Sequence, residues 1–543
     1  MGHFPNIFQI INFKTKNFLF IILFLYPVTV NAENVGYFYF PDDQLTDTEQ
    51  YFYSDIRDGS LDKYDLYDAF LVSSGIVSHD EIRIFREKYT SICHSIDNYL
   101  AIIKQNKQEN DAKNILKWLH NNLFISYKEN TKGIIDLMNY GEYDCLTSSI
   151  MYYILCERLN IYVRIIQVPK HVFCQVYDED FGKWINVETT SHYGYNPGEI
   201  EIENMGDRII ETWLPKTDYD ESKIVKILPL FSYVLKERYS LNHTFIKNIS
   251  YTIDDLYIFK KAYFFDMTSH ELLHNIKSLL VKFAHKELED ENFEESIKYI
   301  TEGLENFNNE FVFQQLHVNY YLKKSKSYYI HNDHKNATLL LEKALSKYQN
   351  FDTIEKNLIA YINAWGNDYF HEGHFQKAKE IYEYGLKLPV NHKTFHKNLR
   401  SSYYNLANEY FTSNEFEVAI EMCKVALEKY PDDYNLNNLY ETIVFNCSEI
   451  YRSKNNFSKA HYYCELGNIE FPNSKTWTEL EDKINRTQKD YYYQLAWHYC
   501  YNSKEYERAY EYCIEGLKIH TQSKDIDYAI NKIKKECEFW IVE

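Results

Sequence analysis

Trp365-Gly366-Asn367-Asp368-Tyr369, with Ala378, Tyr382 and Gly385 behind it, is the stretch that decides how the second half of this chain folds. Outward from Ala378 in both directions, small residues recur at Ser296, Ala337, Ala378, Ala419, Ala460 and Ala509, at spacings of 41, 41, 41, 41 and 49. Seven residues after each comes another: Gly303, Ala344, Gly385, Ala426, Gly467 and Gly516. Small residues seven apart lie two turns apart on one helix face, where they let a neighbouring helix come close. A third set, Ala284, Ser325, Gly366, Ala407 and Ser448, lies twelve residues before the first. A lone helix pair cannot bury its apolar face but a stack can, so this pattern predicts a tandem array of six helix pairs over residues 269–543.

These positions resemble the tetratricopeptide consensus, and Pro431 and Pro472 fall where that consensus ends its second helix. The period departs from it, since such units run about 34 residues. Seven extra residues are about two α-helical turns, which places them in a longer first helix, as in 351–371. The final copy calls for a still longer helix or a small insertion between Lys475 and Tyr491. The resemblance implies an α-solenoid with a peptide-sized groove and a protein or peptide as partner. Much of the total of 52 tyrosines lies here and reads as packing between helices.

A chain of 543 residues is too long for one core. Its net charge of −20 repels phosphate backbones, so no nucleic-acid partner is expected. Lys14 and Lys16, an apolar run over 18–28 and then Val30-Asn31-Ala32 read as a secretory signal over residues 1–32, cleaved after Ala32. The destination is then periplasm, cell surface or medium, without stable membrane insertion; an uncleaved anchor is the weaker reading, because about eleven apolar residues span a bilayer poorly. Cys423, Cys464 and Cys513 occupy one repeat position, held elsewhere by Ile300, Leu341 and Tyr382, so these thiols read as small core residues for which disulfides are not required.

The first half reads as a helical part over 33–140, a core over 141–200 and a connecting region over 201–268. Helices are predicted over 62–77, 80–104 and 111–123, with Asp62, Asp80 and Asp111 at their starts. Gly141 punctuates the chain ahead of Gly141-Glu142-Tyr143-Asp144-Cys145-Leu146-Thr147-Ser148-Ser149, and an apolar run over 150–156 marks a buried helix opening at Cys145. Helix N-termini favour thiolate over thiol and donate to an oxyanion. Strands are predicted over 162–168, 171–177 and 184–189, the last returning antiparallel. Alternation puts His171, Phe173 and Gln175 on one face, with Trp184, Asn186 and Glu188 sharing a face of the next strand and Cys174 turned away. Cysteine, then imidazole, then carboxylate is the chain order of a cysteine acyl-transfer site. The loop His192-Tyr193-Gly194-Tyr195-Asn196-Pro197-Gly198 reads either as shaping the mouth of that site or as turn chemistry alone.

The motifs "GEYDCLTSS", "VPKHVF" and "WINVETT" resemble those of the transglutaminase-like superfamily, whose fold is similar to that of papain-type cysteine proteases. With "DGSLDKYDLYDAFLVSSGI" and "LKWLHNNLF" upstream and repeats downstream, the chain resembles the bacterial subgroup that joins such a domain to tetratricopeptide-like helices. The resemblance implies an α+β fold with a papain-like transglutaminase core, Cys145 as nucleophile, His171 as general base and acid, and Glu188 as orienting carboxylate, without cofactor or metal. Many relatives have Asp at the third place, and Asn186 is an alternative to Glu188. A catalytically inactive protein-binding scaffold is the competing reading. The outsider is a zinc protease, since His270-Glu271-Leu272-Leu273-His274 matches a metal-binding pattern, with Glu294 or Glu295 as third ligand. Its place on the first long helix of the array favours a solvated helix face instead.

Overall fold

The computed structural model describes residues 38–41, 44–105, 110–179, 182–197, 221–239, 251–521 and 524–542; the expected leader and Gly198 lie outside the described residues. The chain divides into two units, one up to Tyr320 and one over Tyr321–Glu543.

In the first unit, polar caps decide where helices begin. These are α1 (Asp47–Asp55), α2 (Leu66–Ser73), α3 (His79–Gln105) and α4 (Asp111–Asn122). Helix α2 starts later than the predicted Asp62. The Asp55 carboxylate accepts the amides of Asp62, Lys63 and Tyr64 and holds them as a loop, and Asp65 forms the cap with Asp68 in a reciprocal box. There follow β1 (Ser126–Tyr127), α5 (Ile134–Tyr140), β2 (Glu142–Tyr143) and α6 (Cys145–Arg158). Strands β1 and β2 pair in parallel. Next come β3 (Val163–Val168), β4 (His171–Asp178), β5 (Lys183–Val187) and β6 (Lys223–Val225), a sheet in the order β5-β4-β3-β6 with every pair antiparallel. Strand β6 comes from the region in which the sequence pattern discloses nothing. Helices α7 (Ile227–Arg238) and α8 (Ile253–Phe265) lead to the first repeat pair, His270–Glu289 and Phe293–Asn306. A buried Lys260–Glu302 ion pair ties α8 to that pair, and both side chains also bind the backbone of Tyr39.

The second unit is an array of tetratricopeptide-like helices: His334–Lys347, the second helix of the pair whose first is Phe311–Ile330, then Asp352–His371 with Phe375–Gly385, Lys393–Thr412 with Phe416–Lys429, Tyr434–Ser453 with Phe457–Glu470, and Thr476–Trp497 with Tyr506–Leu517. The first helix of the earlier pairs has 20 residues, so the extra length does lie there. In the last pair a 22-residue helix runs on into a six-residue π segment, His498–Ser503.

The small residues of the motif are sealed in: Ala337, Ala378, Ala419, Ala460 and Ala509 are fully buried. The second small position shows why it alternates between Gly and Ala. A methyl group on Gly467 would stand 2.4 Å from the buried Trp477 ring, and one on Gly385 2.9 Å from Phe395. Where the residue ten places on is aliphatic, as at Ile354 and Leu436, the small residue is Ala344 or Ala426. Through the first five copies glycine therefore accompanies an aromatic ring and alanine an aliphatic side chain; the sixth departs, with Gly516 ten places before Ile526. Gly467→Ala should lower stability in urea by about 1–3 kcal/mol through overpacking. Adding Trp477→Leu, which recreates the Ala426–Leu436 combination, should recover part of that loss.

Candidate active site

Helix α5 ends at Gly141, whose φ of 68° lets its amide turn back to the carbonyls of Asp136 and Leu137. Three residues later Asp144 caps α6. One carboxylate oxygen accepts the Thr147 amide at 2.7 Å, and the other accepts the Thr131 amide at 3.0 Å and hydroxyl at 2.7 Å. Asp144 is buried, so these bonds replace the water it has lost. Cys145 is thereby fixed as the first residue of the helix.

Slim side chains in the next turn admit the sheet. The hydroxyls of Ser148 and Ser149 each lie 2.9 Å from the Thr189 hydroxyl, and Ser149 also donates to the Val172 carbonyl. His171 opens β4 after a turn in which Lys170 has φ 61°. Its Nε2 is 2.7 Å from Glu188 Oε2, and its ring stands close enough to Cys145 for that thiol to bear on its pKa. The other oxygen of Glu188 accepts the Thr190 hydroxyl at 2.6 Å and amide at 3.2 Å. Cys145, His171 and Glu188, 43 positions apart in the chain, therefore meet.

Burial is the largest influence on His171 and acts to lower its pKa. Hydrogen bonds to Cys145 and Glu188 and the negative charge of both outweigh it, and the imidazole is raised to about 10. Asn186 lies elsewhere on the same strand face: its side-chain oxygen accepts from Gln175 at 2.6 Å, and Gln175 in turn accepts from Arg164. Cys174 is fully buried against α6, its thiol 3.5 Å from the Ser149 carbonyl, and burial raises its pKa. Cys145 is half-buried, whereas the other nine cysteines are buried, and all ten are free.

Further groups frame the site without an obvious signal in the sequence. His120, 69 residues from its partner, holds the Thr189 carbonyl at 3.1 Å, and burial drives its pKa down to about 4, so it is neutral. The Tyr143 hydroxyl donates to the Thr190 carbonyl. Tyr127, about half exposed, is raised to about 12 by partial loss of water first and then by the charges of Cys145 and Asp144. The loop after Glu188 folds back on it. Gly194 accepts the Glu188 amide at 2.8 Å, and a Cβ there would stand 1.9 Å from the Glu188 carbonyl oxygen, so no larger residue fits. Thr190 was readable in principle, since a hydroxyl two residues from a carboxylate commonly bonds it.

His270, Glu271 and His274 occupy the first turn of His270–Glu289 and face solvent. Glu295 is engaged by Lys298 at 2.7 Å, and among the described residues no group of three or more His, Cys, Asp or Glu is placed to hold a metal.

No family model matches this chain, and no curated protein matches it. Solved structures similar to it are repeat proteins. A tetratricopeptide repeat protein from Parabacteroides merdae ATCC 43184 is 11% identical at a TM-score of 0.14, covering 48% of this chain and 98% of its own. The P58(IPK) TPR domain is 13% identical at 0.16, covering 48% and 75%. The Naa15/Naa10 structure bound to HypK-THB is 13% identical at 0.13, covering 57% and 55%. At these scores the likeness carries no argument of its own, and the array stands on its helix pairs.

The raised His171 pKa has a sign. A protonated imidazole held in the folded state adds stability that is full below the ordinary pKa of about 6.5 and is lost as pH rises through about 10. In histidine-labelled protein the His171 resonance should titrate near pH 10. Glu188→Gln should move that midpoint down and flatten the loss of stability between pH 6.5 and 10.

Proposed function

We propose that this protein is an exported scaffold that binds other proteins through its repeat array. The observation that carries this reading is the repetition itself: 20-residue first helices in successive copies present a long series of side chains that packing does not consume. Stacked helix pairs of this kind offer extended concave surfaces suited to a peptide segment. Export rests on the leader-like sequence over residues 1–32. Among the described residues no helix is long and apolar enough to cross a membrane.

A second reading is favoured by one specific observation, the convergence of Cys145, His171 and Glu188. In it, the first unit is a transglutaminase-like cysteine enzyme with a papain-like core that forms a thioester with an amide substrate. Glu188 orients the imidazole through Nε2, so Nδ1 is the nitrogen that takes the Cys145 proton. The sulfur attacks the amide carbonyl, and the oxyanion is held by the Cys145 amide, which belongs to the first turn, where helix N–H groups lack intrahelical partners. His171 then protonates the leaving amine as the C–N bond breaks, giving the acyl-enzyme. Water as acceptor releases an acid; an amine as acceptor forms a new amide. Neither metal nor cofactor enters these steps.

Iodoacetamide separates the two readings on the intact protein, because Cys145 is the sole cysteine that is not buried. For an enzyme, alkylation of Cys145 should be fast at neutral pH and should slow at least about tenfold in His171→Ala. For an inert scaffold, Cys145 should react as an ordinary exposed thiol, at a rate indifferent to His171→Ala.

A further inference from the structure

The repeats supply their own internal comparison. Each helix pair turns through a residue in the left-handed region, at Glu291, Asn332, Gly373, Asn414, Asn455 and Lys504. A cap of nearly constant geometry follows, with φ of −87° and ψ of 64° at Asp333 and φ of −87° and ψ of 62° at His374. The next residue opens the second helix, and it is Phe293, Phe375, Phe416, Phe457 or Tyr506 in five copies. In the remaining copy it is His334. The position is one for an aromatic packing residue, and Phe416 and Phe457 fill it as buried core.

Packing does not distinguish histidine from phenylalanine there, since the His334 ring meets Tyr329 edge-on at 5.3 Å between centroids, as Phe375 meets Phe370 at 5.2 Å. His334 is 12% exposed, with Nε2 3.1 Å from Asp368 Oδ2, and its Nδ1 is buried without a hydrogen-bond partner. Its ring lies parallel to that of Trp365, with centroids 6.4 Å apart and planes 19° apart. Trp365 is itself singular, since the places 41 residues either side hold Lys324 and Leu406. These residues line a cavity of about 810 Å³, whose rim also carries Asp333, Tyr369 and Glu372. Asp368, 60% exposed, is steered by His334 on one oxygen while open to solvent. The Tyr369 ring already carries a cation, Lys377 Nζ at 5.2 Å from its centroid. Of the three acidic residues in its lining, Asp333 spends both oxygens on Asn336 at the helix cap, which leaves Asp368 and Glu372 against one lysine, Lys335.

We propose that this cavity binds an arginine side chain of a partner protein, its guanidinium on the Trp365 indole and its N–H groups on Asp368 and Glu372. The proposal rests on the reading of the array as a protein-binding surface and names the chemistry that it selects. A guanidinium is the side chain that combines a flat face for an indole with paired donors for a carboxylate. The net negative rim repels an acidic segment. Exchanging phenylalanine for histidine gives up apolar packing and gains a fixed, solvent-facing carboxylate.

Incorporating 5-fluorotryptophan into the full chain and recording fluorine NMR tests this, with Trp365 assigned as the signal missing from Trp365→Phe. The probes are three acetylated, amidated eleven-residue Gly/Ser peptides with arginine, citrulline or glutamate at the centre. The arginine peptide should shift the Trp365 signal saturably, and the citrulline and glutamate peptides should leave it in place. Asp368→Asn should weaken the response about tenfold. His334→Phe, which restores the residue of the other copies, should weaken it similarly without lowering Tm. An equal shift with citrulline, or an unchanged response in Asp368→Asn and His334→Phe, would overturn the proposal. Shifts confined to other fluorotryptophan signals would overturn it while leaving protein binding by the array intact, and silence at every signal would count against both.

Discussion

Both units depend on the same constraint: two backbones come close where side chains are nearly absent. In the array the seam is made of fully buried alanines and of glycines whose missing methyl is occupied by a neighbour's ring, as Gly467 is by Trp477. In the first unit, Ser148 and Ser149 play the equivalent part at the start of α6, and Thr189 reaches both hydroxyls at 2.9 Å. The difference is chemical. An apolar seam needs only volume, whereas a hydroxyl seam buries polar atoms that must find partners or cost about 1–3 kcal/mol each. Ser148, Ser149 and Thr189 satisfy one another, so the sheet is held against α6 by direction as well as by packing.

That directionality extends to the neighbourhood of Cys145. Asp144 spends both oxygens on the start of the helix, Glu188 divides its own between His171 and Thr190, and His120 and Tyr143 hold the carbonyls of Thr189 and Thr190. Every bond fixes a backbone or a ring on the path between the sulfur and the carboxylate. Gly194 closes the path from outside, since its backbone lies where a Cβ cannot stand. The imidazole therefore has little rotational freedom, and its high pKa follows from two neighbours that are held in place.

Much of this was legible because it is periodic or local. The 41-residue spacing of small residues announces helix pairs, and two surplus turns had to lengthen one helix of each pair. Alternation along β4, and along β5 continued one residue past its end at Val187, places His171 and Glu188 on one face, since these strands pair with Cys174 opposite Val187. Alternation alone could not choose between Glu188 and Asn186, because both share that face. The choice comes from Gln175, which occupies Asn186. Helix α2 begins at Leu66 and not at Asp62 because of Asp55, a carboxylate whose reach across the loop leaves no trace in a helical pattern. Strand β6 and the contact between His120 and Thr189 join segments dozens of residues apart without any shared periodicity.

Two histidine–carboxylate pairs break the packing rules of their surroundings, and they do so in the same manner. A histidine–carboxylate contact contributes little net stability compared with apolar residues of similar volume, whether buried, as at His171, or open to solvent on the carboxylate side, as at His334, so a fold selected for packing alone has no use for one. At His171 and Glu188 the pair adjoins the sole cysteine that is not buried among ten. At His334 and Asp368 it stands where the other copies carry an aromatic ring, beside a tryptophan that neither adjacent copy has. Local choices that conflict with the regular pattern and lack a stabilising return tend to mark function. The array makes that argument unusually sharp, since the same backbone turn with the same cap geometry accepts phenylalanine four times and tyrosine once. Geometry at that turn therefore does not demand histidine, and the reason for it lies in what the cavity beside it receives.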